Sequence, residues 1–471
     1  MAVTSLSPTI PGPYAPLGWR GQALAFLRDP IALMSALRRD YGNLAAILHD
    51  YPWWLFAFGP AYNQHVLSDA ALFHSTPIAP LTTPPNSALA RLTNNLLTMN
   101  GETHRQQRRQ MLPAFHRKRV ESYRDDMVAL TEAMLAGWHL GQQLDVARAM
   151  QHLTLCIASR TLFGVDATSD TSSVGTLIHD WMAALESGGV LLLPKDLPAT
   201  PFRRLLRLSD QLEARITTMI AQKRADPTAQ HDVLAMLLAA RDEDGTALSD
   251  EELIGQASVI FIAGHETSSN ALTWTLFLLA QHPRILADIQ SELAGVLRGG
   301  APTLEQLGRL PLLERVIKES MRLLPPATFM MRYTTRPTQL GPYQLPIGAT
   351  VTISPYITHH SPDLYPLPER FNPARWETIT PGTYEYLPFG AGPHMCLGST
   401  FAMLEIKIVL AILLQRYQLA LRPGARIDRN VKITMSPRQG MPMVVQLPGT
   451  ALLRAEVRGN IREMVELRSS G

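Results

Sequence analysis

The sequence predicts a mainly α-helical fold with a small β region, an α+β chain, and three observations predict it. Apolar residues recur at helical spacing from Leu92 to about Arg241. One helical apolar pattern that opens at Ser249 continues, interrupted by polar residues, to Leu279, far too long for a strand. Short β-like runs around turn residues lie towards both ends, at Leu44 to Phe58 and at Gln344 to Ile357.

Taken in order, residues 11–16, PGPYAP, are proline-rich and extended, and Leu44 to Phe58 reads as two apolar strands around Tyr51-Pro52. The helical half includes the periodic segments Val120 to Trp138 and Leu205 to Lys223. Ser249 followed by Glu252 is a capping-box start for the long helix, which must end before Pro283. A further helix from about Leu312 to Leu324 stops at Pro325-Pro326, because proline removes a backbone donor and clashes with the preceding turn. Strands follow across Gln344 to Ile357, punctuated by Pro346 and Gly348, so the sheet draws on both ends of the chain. The last helix spans roughly Leu397 to Tyr417 and begins right after Cys396; residues 449–471 read as a charged tail.

Bulk properties exclude several functions. A chain of 471 residues, 46% hydrophobic, can bury a large core, and its length is compatible with several domains or one large one. With 18% charged residues and a formal net charge of +3, nothing marks a nucleic-acid binder or a membrane-surface protein. The two cysteines, Cys156 and Cys396, are too far apart for a short-spaced zinc site and too few for a disulfide framework, which suits a reducing, cytoplasmic setting. The start lacks the basic and apolar regions of a signal peptide, and no apolar run reaches the about 18 residues of a membrane span.

The chemistry gathers at Cys396. The stretch Phe389-Gly390-Ala391-Gly392-Pro393-His394-Met395-Cys396-Leu397-Gly398 is a glycine-rich loop that delivers one cysteine to a helix start. There the helix dipole and free N–H groups favour a thiolate, the form that binds metals, and glycines let backbone approach the sulfur. With 13 Phe and 30 Gly in the chain, Phe and three Gly would flank either cysteine in this pattern by chance with odds on the order of one in a hundred thousand. The competing reading is a structural cysteine, and Cys156 shows it: it lies among Leu153, Leu155 and Ile157 with no glycine or basic neighbour in its stretch, and reads as packing. Inside the long helix, Ala263-Gly264-His265-Glu266-Thr267 interrupts the apolar face. Gly costs a helix interior roughly 0.5–1 kcal/mol, so this run needs a reason. Gly264 can give room, while Glu266 and Thr267 can carry protons or order water; alone, a Glu-Thr pair is more often a solvated turn. His265 has no partner at metal-ligand spacing and is assigned no role.

The cysteine loop matches every fixed position of Phe-Gly-x-Gly-x-(Arg or His)-x-Cys-x-Gly and so resembles the haem loop of the cytochrome P-450 family. Three further motifs stand in that family's order: the long-helix run, which resembles its oxygen-binding motif; Glu319-x-x-Arg322; and Pro368-Glu369-Arg370-Phe371. The resemblance runs from Pro11 to about Leu447 and implies one haem-binding domain, residues 1–448, with a long distal helix and a proximal cysteine loop. It implies haem b (iron protoporphyrin IX) ligated by Cys396, with Phe389, Gly390 and Gly398 shaping the loop. It implies that His104, Arg108, Arg332 and His394 meet the haem propionates. It also implies a structural ion network of Glu319, Arg322 and Arg370; taken alone, such an i,i+3 pair is usually a surface salt bridge worth about 0.2–0.5 kcal/mol.

The function so implied is a monooxygenase that activates dioxygen beside Ala263 and Gly264 and hydroxylates or epoxidises an apolar small molecule, with Glu266 and Thr267 supplying protons. No flavin or nicotinamide fingerprint follows the cysteine, so electrons are expected from an acidic ferredoxin or a flavodoxin with its reductase. The partner would dock near the basic run His104 to Arg119, and the chain is expected to act as a monomer. The alternatives are a peroxide-using or rearranging member of the fold, which often lacks the Glu-Thr pair, and a haem-thiolate sensor or carrier, which has no use for it. By position, the substrate pocket draws on Ile78 to Leu97, Trp181 to Leu193, Val259 to Ala263, Thr328 to Met331 and Ile433 to Pro437, mostly apolar segments that suit a terpenoid, fatty acid, steroid or polyketide.

Overall fold

A computed structural model describes residues 8–76, 83–165, 171–226 and 232–467. Its axis is the long helix Asp250–Gln281, whose capping box forms with both halves present: Glu252 N–H donates to Ser249 Oγ and the Glu252 carboxylate accepts from Ser249 N–H. Every residue from Leu253 to Ile262 and from Ser268 to Gln281 is buried. A helix buried on all sides draws its stability from its neighbours rather than from an amphipathic stripe. Two glycines let those neighbours close in. A Cβ at Gly255 would sit 2.1 Å from the Asn94 carbonyl oxygen, and one at Gly264 would sit 3.0 Å from Leu162 Cδ1.

The helix Val146–Phe163 lies along the long one, joined by a Phe163–Phe261 stack with centroids 3.5 Å apart and by Thr154 Oγ1 donating to the His265 carbonyl at 3.0 Å. It is capped by Asp145 and ends at Gly164, whose φ of 63° is the left-handed conformation glycine adopts freely. The expected helical half is present as Ala88–Thr93, Gly101–Met111, Arg124–Ala136, Thr171–Leu185, Pro201–Ala225 and Val233–Ala239.

The sheet has five strands in the order Leu44–Ala46, Trp54–Ala57, Thr350–Ile353, Met330–Thr334, Phe73–Ser75. All pairings are antiparallel except Trp54–Ala57 with Thr350–Ile353, which run parallel with Trp54 opposite Thr350. As expected, both ends of the chain contribute. The run Gln344 to Ile357 is not strand throughout: Ser354 caps the short helix Pro355–His359, and Pro355 takes the first helical position, where its missing N–H costs nothing. Thr338–Leu340 and Tyr343–Leu345 form a hairpin beside the sheet, and Arg429–Val431 with Met435–Pro437 form another near the long helix, where Trp274 Nε1 donates to the Met435 carbonyl at 3.0 Å.

Residues 449–467 differ from a simple charged tail, and the expected tail's last four residues, 468–471, lie outside the described residues. Val457, Ile461, Met464 and Val465 are buried in the main core, spaced four and three apart among the charges that hid the pattern. Arg429, its side chain 2% exposed, pairs with Asp29 and with Glu463 at 2.7 Å each, so one guanidinium ties both ends of the described chain to the core.

Candidate functional site

The cysteine loop is set by its backbone. Gly390 and Gly392 have φ of 68° and 71°, and a Cβ on Gly392 would sit 2.1 Å from the Leu67 carbonyl oxygen. Cys396 N–H donates to the Phe389 carbonyl at 2.8 Å, closing the loop just before the helix Ser399–Arg416. That helix starts three residues after Cys396 rather than immediately, since Leu397 and Gly398 complete a turn. Cys396 is accessible, yet protein surrounds it closely enough that burial pushes its thiol above the usual range; the Gly398 N–H and the Arg108 charge pull it back. A sulfur both reachable and surrounded lies on the wall of an internal chamber. Cys156 is half-buried, and its Sγ lies 3.7 Å from His152 Nε2, a neighbour one helical turn away that the local reading did not count.

Around this loop stands a cationic cluster. His104 stacks on His394 with ring centroids 3.9 Å apart, and His394 Nδ1 lies 3.4 Å from Ser75 Oγ. Burial, followed by the charges of Arg108 and Arg332, lowers His104 to about 4. Burial, His104 and the same two arginines lower His394 to about 3. Arg332, 9% exposed on its strand, is lowered to about 10 by burial and donates to the Met331 carbonyl at 2.9 Å. Among the described residues no carboxylate pairs with Arg108 or Arg332, and His104 Nε2 is buried without a partner. Buried arginines without acids are costly, and such a cluster is arranged for a dianionic guest. The neighbouring basic run behaves differently: Arg105 pairs with Glu102, Arg109 with Glu243, and Arg117 with Glu121, so much of its charge is locally neutralised.

The ion network exists with one member corrected. Glu319, fully buried, takes Arg322 Nε at 3.0 Å and Nη2 at 2.9 Å, together with Arg375 Nε at 2.9 Å, Trp376 Nε1 at 3.0 Å and the Asn372 N–H at 3.0 Å. The Arg370 side chain is exposed, and that residue enters only through its carbonyl, which accepts from Arg322 and Arg375. The chain turns after Phe371, so the guanidinium that comes back to Glu319 belongs to the 3₁₀ turn Pro373–Glu377.

On the long helix the expected residues divide between faces. Ala263 is exposed although Ile260, Ile262 and His265 beside it are buried, so it opens onto a chamber inside the core; Thr267, one turn on, donates its hydroxyl to the Ala263 carbonyl at 2.9 Å. Gly264 is corrected: its bare Cα faces Leu162 and Ala158, so it gives room to the adjacent helix rather than to the chamber. Glu266, about 100° round the helix from Thr267, accepts from Thr434 Oγ1 at 2.8 Å. His265 is a satisfied core histidine, with Nδ1 2.6 Å from the Phe261 carbonyl. Of the segments placed at the substrate pocket, residues 78–82 lie outside the described residues; Phe329 and Met330 are half-buried while Thr328 is buried.

The family model described as Cytochrome P450 matches residues 11–443. This chain belongs to the cytochrome P-450 family. It is 33% identical over 439 residues to the cyclooctatin synthase of Streptomyces melanosporofaciens, covering 90% of this chain and 93% of that one. It is 30% identical to the pentalenene oxygenase of Streptomyces avermitilis, covering 86% and 90%. Its fold superimposes on the retinoic acid bound cyanobacterial CYP120A1 with a TM-score of 0.83 at 27% identity, covering 94% of this chain and 100% of that one. As a P-450 it is a haem-dependent monooxygenase, an oxidoreductase. Its residues fit that cofactor: a cysteine presented to a chamber, and two arginines and two histidines with no acid of their own where a haem presents two carboxylates. Among the described residues no helix is long and apolar enough to cross a membrane.

Sequence reasoning missed three residues and the role of a fourth. Arg375 and Trp376 complete the Glu319 shell, and only a distance could single them out from other residues near Arg370. Thr434 reaches Glu266 from a hairpin far away in sequence. Glu405, on the helix that follows the cysteine, is fully buried; neither of its oxygens has a well-formed hydrogen bond, and burial raises it to about 8, offset only in part by the Ser268 hydroxyl. An acid in the apolar run of that helix was a visible signal.

Proposed function

We propose that this P-450 hydroxylates or epoxidises a cyclic terpenoid in the chamber beside Ala263, using electrons from a separate acidic ferredoxin or flavodoxin with its reductase, and that it acts as a cytoplasmic monomer. One observation carries the reading: a buried helix places a single small, accessible side chain, Ala263, and a hydroxyl, Thr267, on the chamber while its acid, Glu266, points elsewhere. An apolar guest then meets little polar surface, and protons arrive from behind. The terpenoid class draws support from the relatives named as a cyclooctatin synthase and a pentalenene oxygenase.

In this mechanism His104, Arg108, Arg332 and His394 would hold the two propionates, and Cys396 would supply the thiolate, whose charge the Gly398 N–H and Arg108 favour against the burial that raises the free thiol. When bound, the haem supplies the oxidising chemistry that splits dioxygen. The Thr267 hydroxyl orders water or a proton on the chamber side, and Glu266 replenishes it. The short helix Arg117–Glu121, packed on the cysteine helix with Lys118 exposed, supports docking of an acidic partner on the cysteine side.

The test is a spin-state titration of the holoprotein with cyclic terpene hydrocarbons and alcohols against fatty acids, steroids and polyketides, followed by turnover with surrogate redox proteins and isotopically labelled dioxygen. Terpenoids should bind and gain one labelled oxygen. Saturable binding of another class alone would remove the substrate assignment, and turnover with peroxide but never with dioxygen would remove the monooxygenase route. Cys396→Ser should lose the thiolate-type Soret band of the carbon monoxide complex.

A further inference from the structure

Behind Glu266 lies a second hollow, of ≈310 Å3, walled by the long helix, the helices Val146–Phe163 and Thr171–Leu185, and the hairpin residues Lys432 and Thr434. Glu266 Oε1 takes the Thr434 hydroxyl at 2.8 Å, and Asn270 Nδ2, one turn further on, donates to Thr434 Oγ1 at 3.2 Å. On the wall of the same hollow is Glu186, its side chain only 15% exposed, paired with Lys432 Nζ at 3.0 Å. Lys432 itself is 42% exposed and faces solvent. Burial pushes the Glu186 carboxyl above its usual range; Lys432 and the Ile433 N–H pull it back, and the negative charge of Glu266 raises it again, so the two carboxyls sense each other across the hollow.

Two of the other titratable groups on this wall have partners elsewhere. Asp145 accepts three backbone N–H groups, from Ala147, Arg148 and Met441. His265 is held by the Phe261 carbonyl. Arg148 and His179 line the hollow as well. It is polar and has room for several waters, each with polar partners to bond. A half-buried acid of raised affinity, coupled to a second acid one helical face away from the chamber, has the properties of a proton donor.

We infer that Glu186 is the proton carrier that reloads Glu266, and that Lys432 is the positioning residue that holds Glu186 at the hollow. The inference rests on Glu266 serving the chamber, as proposed above. A proton passes from the Glu186 carboxyl through water in the hollow to the Glu266 carboxylate; Glu186 is left ionised, stabilised by Lys432, and takes its next proton from solvent. No oxidant or co-reactant is involved.

The test uses holoprotein variants Glu186→Gln, Lys432→Met, Lys432→Arg and Glu266→Gln. Infrared difference titration without turnover reads the carboxyls directly. Glu186→Gln should remove one protonated-carboxyl band titrating above the ordinary range; Lys432→Met should shift the Glu186 band to higher pH, and Lys432→Arg should restore it. In turnover, Glu186→Gln should lower product formed per electron pair by about tenfold and enlarge the solvent deuterium isotope effect, with the carbon monoxide band unchanged. A titration in which Glu186→Gln removes no such band overturns the inference, as does unchanged coupling in Glu186→Gln when Glu266→Gln uncouples. If Glu266→Gln is itself silent in turnover, the role proposed for Glu266 fails, and Glu186 as its donor fails with it.

Discussion

Replacing Arg375 with methionine should cost far more than the same change at Arg370. Glu319 is fully buried and is charge-balanced by two guanidinia, Arg322 and Arg375, at 2.9 Å each. Breaking a buried pair by removing one partner costs about 3–5 kcal/mol, against a total stability that is commonly about 5–15 kcal/mol. Arg375 also donates to the Pro366, Leu367 and Arg370 carbonyls, so its loss strips donors from the loop that leads into this turn. The Arg370 side chain is exposed, and its carbonyl survives substitution, so Arg370→Met should change stability by no more than about 0.5 kcal/mol. Urea unfolding of the holoproteins, followed by circular dichroism and by the fraction retaining the thiolate-type carbon monoxide band, measures both. Equal losses in the two variants, or an Arg375→Met protein within 0.5 kcal/mol of the parent, would refute the assignment of Arg375 to the network.

Glu405 should give the protein an unusual pH dependence. Its carboxyl rises from 4.5 unfolded to about 8 folded, so the folded state binds this proton more tightly. The associated stability is whole below pH 4.5 and is lost as pH climbs through 8, a difference on the order of 5 kcal/mol that Glu405→Gln should flatten in unfolding midpoints measured across that window. Gly392→Ala should displace the cysteine loop, because the added Cβ would meet the Leu67 carbonyl oxygen at 2.1 Å with φ at 71°; a haem-to-protein ratio close to that of the parent would contradict this. Arg332→Leu should weaken haem retention by about tenfold or more, the worth of a charge-assisted hydrogen bond of roughly 1.5–3 kcal/mol, read as haem transfer to apomyoglobin.

The large helices were legible in the chain because each carries its own start and stop: Ser249 with Glu252 at one end of the long helix, Pro283 just beyond the other. The helix Pro311–Leu323 was visible through its stop at Pro325-Pro326, while its start, with no capping side chain at Leu310, was placed one residue late. The cysteine loop was legible because glycines, a basic residue and a cysteine at fixed spacing are improbable together. What depends on through-space return was not. Arg375 rather than Arg370 meets Glu319 because of a turn after Phe371, and one helical step of 100° sends Gly264 towards Leu162 and leaves Ala263 on the chamber. The packing of residues 457–465 was hidden by interspersed charge, since a short apolar pattern among arginines and glutamates reads as solvated.

The division of the long helix into a chamber face and a wet face bears on how such an enzyme can change. In the proposed reading Ala263 and Thr267 border the guest, while Glu266 and Asn270 belong to a hollow on the other side of the same backbone. Substitutions on sides of a rigid element that share no partner act nearly independently. Under that reading, a new guest can be met by altering Ala263 without retuning the carboxyls behind it. One helix serves as a partition, and each room can be refurnished without disturbing the other.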